Sequence, residues 1–507
     1  MFSFSVKSLQ DWLLIRVAGR PLHRGRRALA RGKPARAAAI WHDAARAGDA
    51  DCQLALAEAL WNGQGVLRDL RAAMNWYEKA ADAGKAPAQA RLAGIHAAGI
   101  GVPADQGKST QAAGNTLVVP RDRAKARHWA RLAGEQGHIE AQVLLGWLHS
   151  MDEDEGEDKE GRDISLAIDW YSRAAEAGSA PGMVGLAGLI SLGKVPGQGP
   201  EDAHQLYRRA AELGNKTAFY YLGVNLLHGT GVEADAAEGR KWLLRAADLG
   251  VAGAMRALGL ACLRGTGGIP VDPAQAETWL RRGAVKSDPE SMVLLADMHA
   301  AGTAQVPNRA EAILWYVAAS ETGHPKAITA LGIAHLTGNG VQEDHVRAVE
   351  LFEKAAEKHA DARFQLGLCH LLGRGVPIDP VKAAWHLLKA AEQKHPDATY
   401  NYGALLYNGN GVAQDRKAAF EFYAAAAGLG SASGQFRMAH AHTLGKELPL
   451  DPHRAIELFT AAAEQEHTAA QINLARMLLA HRPDDRAALE KWRDRLRVPA
   501  QAGVVEA

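Results

Sequence analysis

Residues 218–250 read AFYYLGVNLLHGTGVEADAAEGRKWLLRAADLG, and the fold follows from what this stretch shares with the rest of the chain. It opens with Ala218, Leu222 and Gly223, small and large apolar residues at helical spacing. Gly229-Thr230-Gly231 then interrupts the pattern, as paired glycines do at a tight turn. Asp235 stands where a helix N-cap belongs, because its carboxylate can accept a bond from a free backbone N–H of the first turn. Trp242 follows after seven residues, and Gly250 eight residues later sits where a helix can end in the left-handed conformation. The stretch is one helix, a tight turn and a second helix.

The same spacing recurs along the chain. Trp76, Trp129, Trp170, Trp242, Trp279, Trp315 and Trp492 share one context, and Leu206, Leu351, His386, Phe422 and Leu458 fill that slot elsewhere. Steps between slots are 34 to 37 residues except for 53 after Trp76 and 41 after Trp129. Seven residues upstream of the slot lies Asp in ten units, Asn308 in one and Gly199 in one. Pro273, Pro380 and Pro452 follow such a cap at the first helical position, where a missing N–H costs nothing. Glycine stands eight residues past the slot in seven units, from Gly84 to Gly430. Gly-x-Gly turns recur in seven units, at Gly63/Gly65, Gly99/Gly101, Gly229/Gly231, Gly265/Gly267, Gly338/Gly340, Gly373/Gly375 and Gly409/Gly411. No stretch sustains period-two alternation, so little or no sheet is expected.

A period of this length is the signature of a repeat array. The 507 residues exceed what one compact core usually holds. The expected fold is all-α: a right-handed superhelical α-solenoid of about twelve helix-turn-helix units, in which each hairpin buries its apolar faces only against its neighbours. The slot tryptophans are expected to form the repeat core. Trp242→Ala or Trp315→Ala is expected to cost about 3–5 kcal/mol.

These residues resemble the Sel-1-like repeat family, relatives of the tetratricopeptide repeat. The matching pattern runs Ala218-x3-Leu222-Gly223, Gly229-x-Gly231-Val232, Asp235, Trp242-x2-Arg245-Ala246-Ala247, Gly250. It is repeated as Gly63-x-Gly65-Val66, Asp69, Trp76-x2-Lys79-Ala80-Ala81, Gly84. The resemblance spans about residues 34–495. It implies non-catalytic adaptor or scaffold work, in bacterial signalling, envelope biogenesis, secretion or host interaction. Eukaryotic relatives act in protein quality control. The family's tyrosine slot on the first helix is histidine at His96, His149, His299, His335, His370 and His442, and apolar at Leu60, Leu226 and Leu406. A histidine there reads as half-buried and bonded to a backbone group. A metal ladder would need several ligands within a few ångströms.

Composition is that of an ordinary soluble globular protein. Net charge is +1, so no global field favours nucleic acid. Residues 1–36 carry nine Lys/Arg against Asp11 alone, leaving 49 basic against 56 acidic residues in the rest. Residues 1–32 read as a basic N-terminal arm with an apolar stripe of Phe2, Val6, Leu9, Leu13 and Val17. One reading is peripheral contact with an anionic membrane; the other is a helix capping the first unit followed by a solvated linker. The solenoid is expected over residues 33–497, with a polar insertion near 103–119, an acidic loop over 151–163 and a disordered tail over 498–507. The acidic loop (Asp152 to Glu160) lacks the offsets of a calcium hand. Its first reading is a solvated acidic loop, and a docking site for a basic partner is the alternative.

Cys52, Cys262 and Cys369 lie far apart and form no framework. No apolar run reaches the roughly 18–20 residues of a membrane span, and no secretory cleavage site is read. The expected location is cytoplasmic, with membrane association through the arm; the periplasm is disfavoured. No cofactor or metal site is expected. Ser431-Ala432-Ser433 between Gly430 and Gly434 has alanine where a hydrolase elbow needs serine. A hydrolase would need a converging cluster of titratable residues, and none is read here. The expected partners are proteins or peptides, gripped by first helices lining a concave face. Candidates by helical position are Tyr221, Asn225 and His228 in one unit, Gln365 in another, and Asn401, Tyr407 and Asn408 in a third. The alternatives are a membrane-proximal organiser tethered by the arm, or a hydrolase on this fold.

Overall fold

The computed structural model describes residues 20–100, 119–151 and 163–482, together with 485–488, 490–492 and 495. The apolar stripe of the arm, most of the polar insertion, the acidic loop and the C-terminal tail lie outside these residues. Among the described residues there is no strand. An isolated antiparallel pair, Ile100 with Val119, brackets the insertion.

The chain forms two compact bodies, residues 1–257 and 258–507. In the first body, the first helices are Pro21–Ala30, Ala50–Asn62, Ala86–Ala98, Ile139–Ser150, Ala180–Ser191 and Lys216–His228. Their second helices are Pro34–Arg46, Leu70–Asp82, Arg123–Glu135, Ile164–Glu176, Pro200–Glu212 and Ala236–Asp248. In the second body, Pro273–Val285 is followed by the pairs Pro289–Ala301 with Arg309–Glu321, Pro325–Thr337 with His345–Ala355, and Ala360–Leu372 with Pro380–Glu392. Then come Pro396–Asn408 with Arg416–Gly428, Ala432–Leu444 with Pro452–Glu464, and Thr468–His481. The division between the bodies falls inside the helix Ala252–Arg264. Within each body every helix packs on its neighbours in sequence, as in an α-helical solenoid. Residues 21–30 of the basic arm are a helix in that stack: Ala28 is buried with Trp41, whose indole N–H donates to Leu22 O at 3.4 Å.

The caps form as the sequence indicates. Asp235 accepts from Glu238 N at 2.9 Å, and Asp69, Asp122, Asp163, Asp272, Asp344, Asp379, Asp415 and Asp451 accept from the residue three ahead in the same way. The backbone N–H of the capping Asp closes the hairpin by donating to the first helix, as Asp235 N does to Leu226 O and Asp379 N to His370 O. A glutamine at the fourth position of several first helices ties units together. Gln53, Gln89, Gln142 and Gln471 donate to the C-terminal carbonyls of the preceding second helix, at 3.0 to 3.3 Å.

The large buried residue is one position past the expected slot. Tyr77, Tyr207, Leu243, Leu280, Phe352, Leu387, Tyr423 and Phe459 are 0–3% exposed. Trp76, Trp129, Trp242, Trp279 and Trp315 are only half-buried, whereas Trp170 and Trp492 are buried. The slot residue sits at a seam: Trp76 borders both the cluster around Trp41 and the one around Tyr77. Its open ring face is covered by the cation three residues on, Lys79 over Trp76 at 4.2 Å and Arg282 over Trp279 at 4.5 Å. That explains the basic residue in Trp-x2-Lys/Arg. The residue after the slot fills the hole left by the first-helix glycine. A methyl group on Gly332 would meet the Phe352 ring at 2.5 Å, and one on Gly367 would meet Leu387 at 2.7 Å.

The helix-ending glycines adopt φ near +80°, as at Gly84 and Gly250. Three units hold the same left-handed turn without glycine, at Ser287, Lys394 and Glu466, with φ of 60°, 62° and 63°. The histidine slot departs from expectation. His335 and His442 do contact backbone carbonyls. His96, His299 and His370 instead bury Nδ1 without a partner, because the hairpin encloses the ring against the second helix.

Candidate functional site

The eighth residue of the second helix is tyrosine in five units: Tyr77, Tyr171, Tyr207, Tyr316 and Tyr423. Their rings are buried, but their hydroxyls reach the first-helix side. Tyr171 hydrogen-bonds Ser150, Tyr207 hydrogen-bonds Ser191, and Tyr316 donates to Asp297 Oδ1 at 2.6 Å. Tyr77 and Tyr423 instead meet arginines, Arg91 and Arg437. Burial raises these phenols, Tyr207 and Tyr423 to about 12, so they stay neutral at physiological pH.

Around Tyr77 lies a cleft of about 830 Å³. It crosses three consecutive first helices: Glu58, Trp61 and Asn62 come from Ala50–Asn62, Arg91 and Gly94 from Ala86–Ala98, and Glu140 and Leu144 from Ile139–Ser150. The Arg91 guanidinium lies 4.7 Å from the Trp61 ring centre, and Trp61 meets Tyr77 edge-on at 6.0 Å. Gly94 faces open space, which keeps the middle of the cleft wide. Buried His138 Nδ1 at its end has no partner. Indole, phenol, guanidinium, amide and two carboxylates thus face one trough several residues long. The trough offers aromatic faces, one cation and carboxylates of both flanking helices side by side.

The expected recognition residues fall elsewhere. Tyr221 is 37% exposed and stacks on Tyr207 at 4.7 Å. Asn225 is a correction: it is 8% exposed, because the tenth position of a first helix turns towards its own second helix. His228 is exposed at the last helical position. Gln365 and Asn401 are half-exposed at the sixth position of their helices, with Asn401 Nδ2 donating to Asp397 O at 2.7 Å. Tyr407 is half-buried beside Arg416 and Arg437, and Asn408 is exposed. Arg91 occupies the same sixth position as Tyr221, Gln365 and Asn401, and comparison of that column would have found it.

A smaller pocket of about 350 Å³ lies between His204, Arg208, Leu222, Leu226 and Trp242. A converging titratable cluster, not expected from the sequence, sits in the second body. Arg281 bonds Glu311 at 2.6 Å and Glu277 at 2.9 Å, Gln305 N donates to Glu277, and Trp315 Nε1 donates to Glu311. His299, 2% exposed, lies 3.5 Å from Glu311. Burial opposes ionisation of both glutamates, but the Gln305 amide and Arg281 hold Glu277 below the ordinary carboxylate range, and Arg281 with Trp315 holds Glu311 there. Residues far apart in sequence are joined here by stacking, which the one-dimensional pattern does not display. Its donors are spent on its own acceptors, so it acts as a tie between hairpins.

Among the described residues no three His, Cys, Asp or Glu side chains converge as a metal site, and no helix is long and apolar enough to cross a membrane. The three cysteines are buried and stand outside any disulfide. Burial raises Cys52 to about 12 and Cys369 to about 11, which leaves them protonated.

Comparison with known proteins gives the family. An uncharacterised protein of Neisseria meningitidis serogroup B is 25% identical over 70% of this chain and 71% of its own length. The chitin synthase regulator SKT5 of Saccharomyces cerevisiae is 29% identical over 40% of this chain, which spans 33% of that protein. Among solved structures, a protective antigen of uropathogenic Escherichia coli with an SLR fold matches at a TM-score of 0.49, with 23% identity over 90% of this chain and 97% of that one. A Sel1 repeat protein from Oxalobacter formigenes matches at 0.45, with 26% identity over 66% and 99%. The Sel1 repeat model matches twelve times: 50–85, 86–111, 114–138, 139–179, 181–215, 218–251, 252–284, 289–324, 325–359, 360–395, 396–431 and 432–467. The second and third matches each take in one helix of the same hairpin and part of the insertion between them. With matched repeats over most of its length, the chain belongs to the Sel1 repeat family.

Proposed function

We propose that this protein is a non-enzymatic scaffold that holds a protein segment across its first helices, with the Glu58–Trp61–Arg91–Glu140 cleft as the principal grip. Sel1 repeat solenoids are in general protein-interaction folds, and that supports the reading. The observation that carries it is the cleft of about 830 Å³ spanning three consecutive first helices, floored by Trp61, Arg91 and Tyr77. Its length along the stack suits an extended chain, and its mixed charge suits a partner with both polar and apolar side chains. A relative named as a regulator of another protein, the yeast chitin synthase regulator, supports a role exerted through a partner. The setting we propose is bacterial signalling, envelope or secretion work in a reducing compartment, a location that buried thiols outside any disulfide support.

The test is affinity capture with the full chain. Glu58→Lys combined with Arg91→Glu changes two exposed groove residues. The double variant is expected to keep its helical melting profile and lose the partners of the unaltered chain. Arg71→Glu, on the exposed face of Leu70–Asp82, is expected to keep them. Identical partner sets from all three proteins would overturn the reading.

A further inference from the structure

The constellation around Arg91 occurs a second time. In the first body it consists of the twelfth residue of a first helix, Trp61, the eighth of its second helix, Tyr77, and the sixth of the next first helix, Arg91. In the second body the same three positions hold Tyr407, Tyr423 and Arg437. The Arg437 guanidinium lies 4.7 Å from the ring centre of Tyr407, 5.6 Å from Tyr423 and 5.9 Å from Phe420. Arg416 approaches Tyr407 as well, at 5.2 Å.

Two guanidiniums therefore converge on one tyrosine, and no carboxylate of the described residues pairs with either. Arg437 is half-buried, so its charge has lost part of its water without gaining a counter-ion. The fold knows another solution: Arg281, also half-buried, is met by Glu277 of its own helix and Glu311 of the next hairpin. At Arg437 the aromatic rings compensate the charge through their faces. The in-plane N–H fork is left free apart from its bond to the Tyr423 hydroxyl. A free guanidinium fork matches the two oxygens of a planar carboxylate.

We infer that Arg437 and Arg416, seated on Tyr407, are a docking point for an acidic side chain of a bound peptide. The inference rests on the peptide-holding reading above and extends it to the second body. The occupant is a carboxylate carried on a chain, because the aromatic bed beside the two cations offers apolar contact as well as charge. Asn408, exposed next to Tyr407, adds an amide that can bond the peptide backbone. Tyr407 and Asn408, candidates by helical position, take their role here through Arg437 and Arg416.

The test uses the full chain and two labelled decapeptides, one alternating Glu with Ala and the other alternating Gln with Ala, followed by fluorescence anisotropy. The Glu peptide is expected to bind and the Gln peptide to bind at least about ten-fold more weakly. Arg437→Gln and Arg416→Gln are each expected to weaken the Glu peptide about ten-fold. Arg437→Lys is expected to fall between, since it keeps the charge and loses the fork. Lys417→Gln, an exposed cation on the same helix, is expected to change affinity less than two-fold. Arg416 is exposed, so its variant reads the site even if Arg437→Gln unfolds locally. Equal binding of the two peptides, an unchanged affinity in Arg416→Gln, or failure of the Glu peptide to bind would overturn the inference. So would displacement by inorganic phosphate, but not by chloride of equal ionic strength, which would mark a phosphate site. None of these outcomes touches the first-body cleft, which capture through Glu58 and Arg91 reads separately.

Discussion

Removing the Phe352 side chain is expected to do more than open a hole; it should reverse the effect of a second substitution. Phe352 is fully buried on His345–Ala355. A methyl group on Gly332 of Pro325–Thr337 would meet Cε1, Cδ1 and Cζ of that ring at 2.5, 2.8 and 3.1 Å, and these are its three nearest neighbours. Phe352→Ala is expected to cost about 3–5 kcal/mol through lost burial and a residual cavity. Gly332→Ala alone should cost about 1–3 kcal/mol, because the ring must be displaced in a packed core. With alanine at 352 the obstacle is gone, and Gly332→Ala should instead stabilise by about 1 kcal/mol through helix propensity. The coupling between the two sites is then roughly 2–4 kcal/mol in favour of the double variant. Repeat arrays need not unfold in one step, so the assay is native-state hydrogen exchange, read from the amides of these two helices. The same cost for Gly332→Ala in both backgrounds would refute the glycine-to-ring packing that defines the hairpin here.

Three further outcomes are expected. Leu243→Ala should cost about 2–5 kcal/mol and the half-buried Trp242→Ala only about 1–2 kcal/mol; the reverse order in urea titration would restore the tryptophan as the core residue. Ser287→Gly, Lys394→Gly and Glu466→Gly should each stabilise by about 1 kcal/mol by relieving a left-handed conformation that costs a side chain about that much. The three gains should add in thermal melts, since the sites share no partners, and a loss at any one would contradict the assigned turn. Burial, then the neighbouring His370, Arg363 and Lys382, lower the His386 pKa from 6.5 to about 4. The unfolded chain therefore binds the proton first as pH falls, and stability should decline between about pH 6.5 and 4. His386→Leu, which matches the slot residue of other units, should flatten that slope; an unchanged profile would place the acid sensitivity elsewhere.

The hairpin was legible because three local signals repeat in phase. Asp235, Gly229-Thr230-Gly231 and Gly250 each fix backbone geometry within a few residues, so a one-dimensional pattern contains them. The division of labour between Trp242 and Leu243 was not legible. Both are large and apolar, and which faces the seam depends on the rotation of one helix against the next. Asn225 misled for the same reason: three-residue spacing from His228 does not say which side of the first helix meets its partner. The Glu277–Arg281–Glu311 tie and the Arg91–Trp61 seat join residues about 30 apart, a distance that only stacking closes. Their signal is a column: equivalent positions compared across units place Arg91 and Arg437 together.

The claim that first helices hold the partner is tested most directly by site-specific photo-crosslinking. Benzoylphenylalanine is placed at Ala90, which lines the cleft, or at Arg71 on the opposite helix of the preceding hairpin. After irradiation in cells, a discrete protein adduct is expected from position 90, is expected to vanish when Arg91→Glu is added, and is not expected from position 71. Equal adducts from both positions, or adducts from 71 alone, would contradict the account.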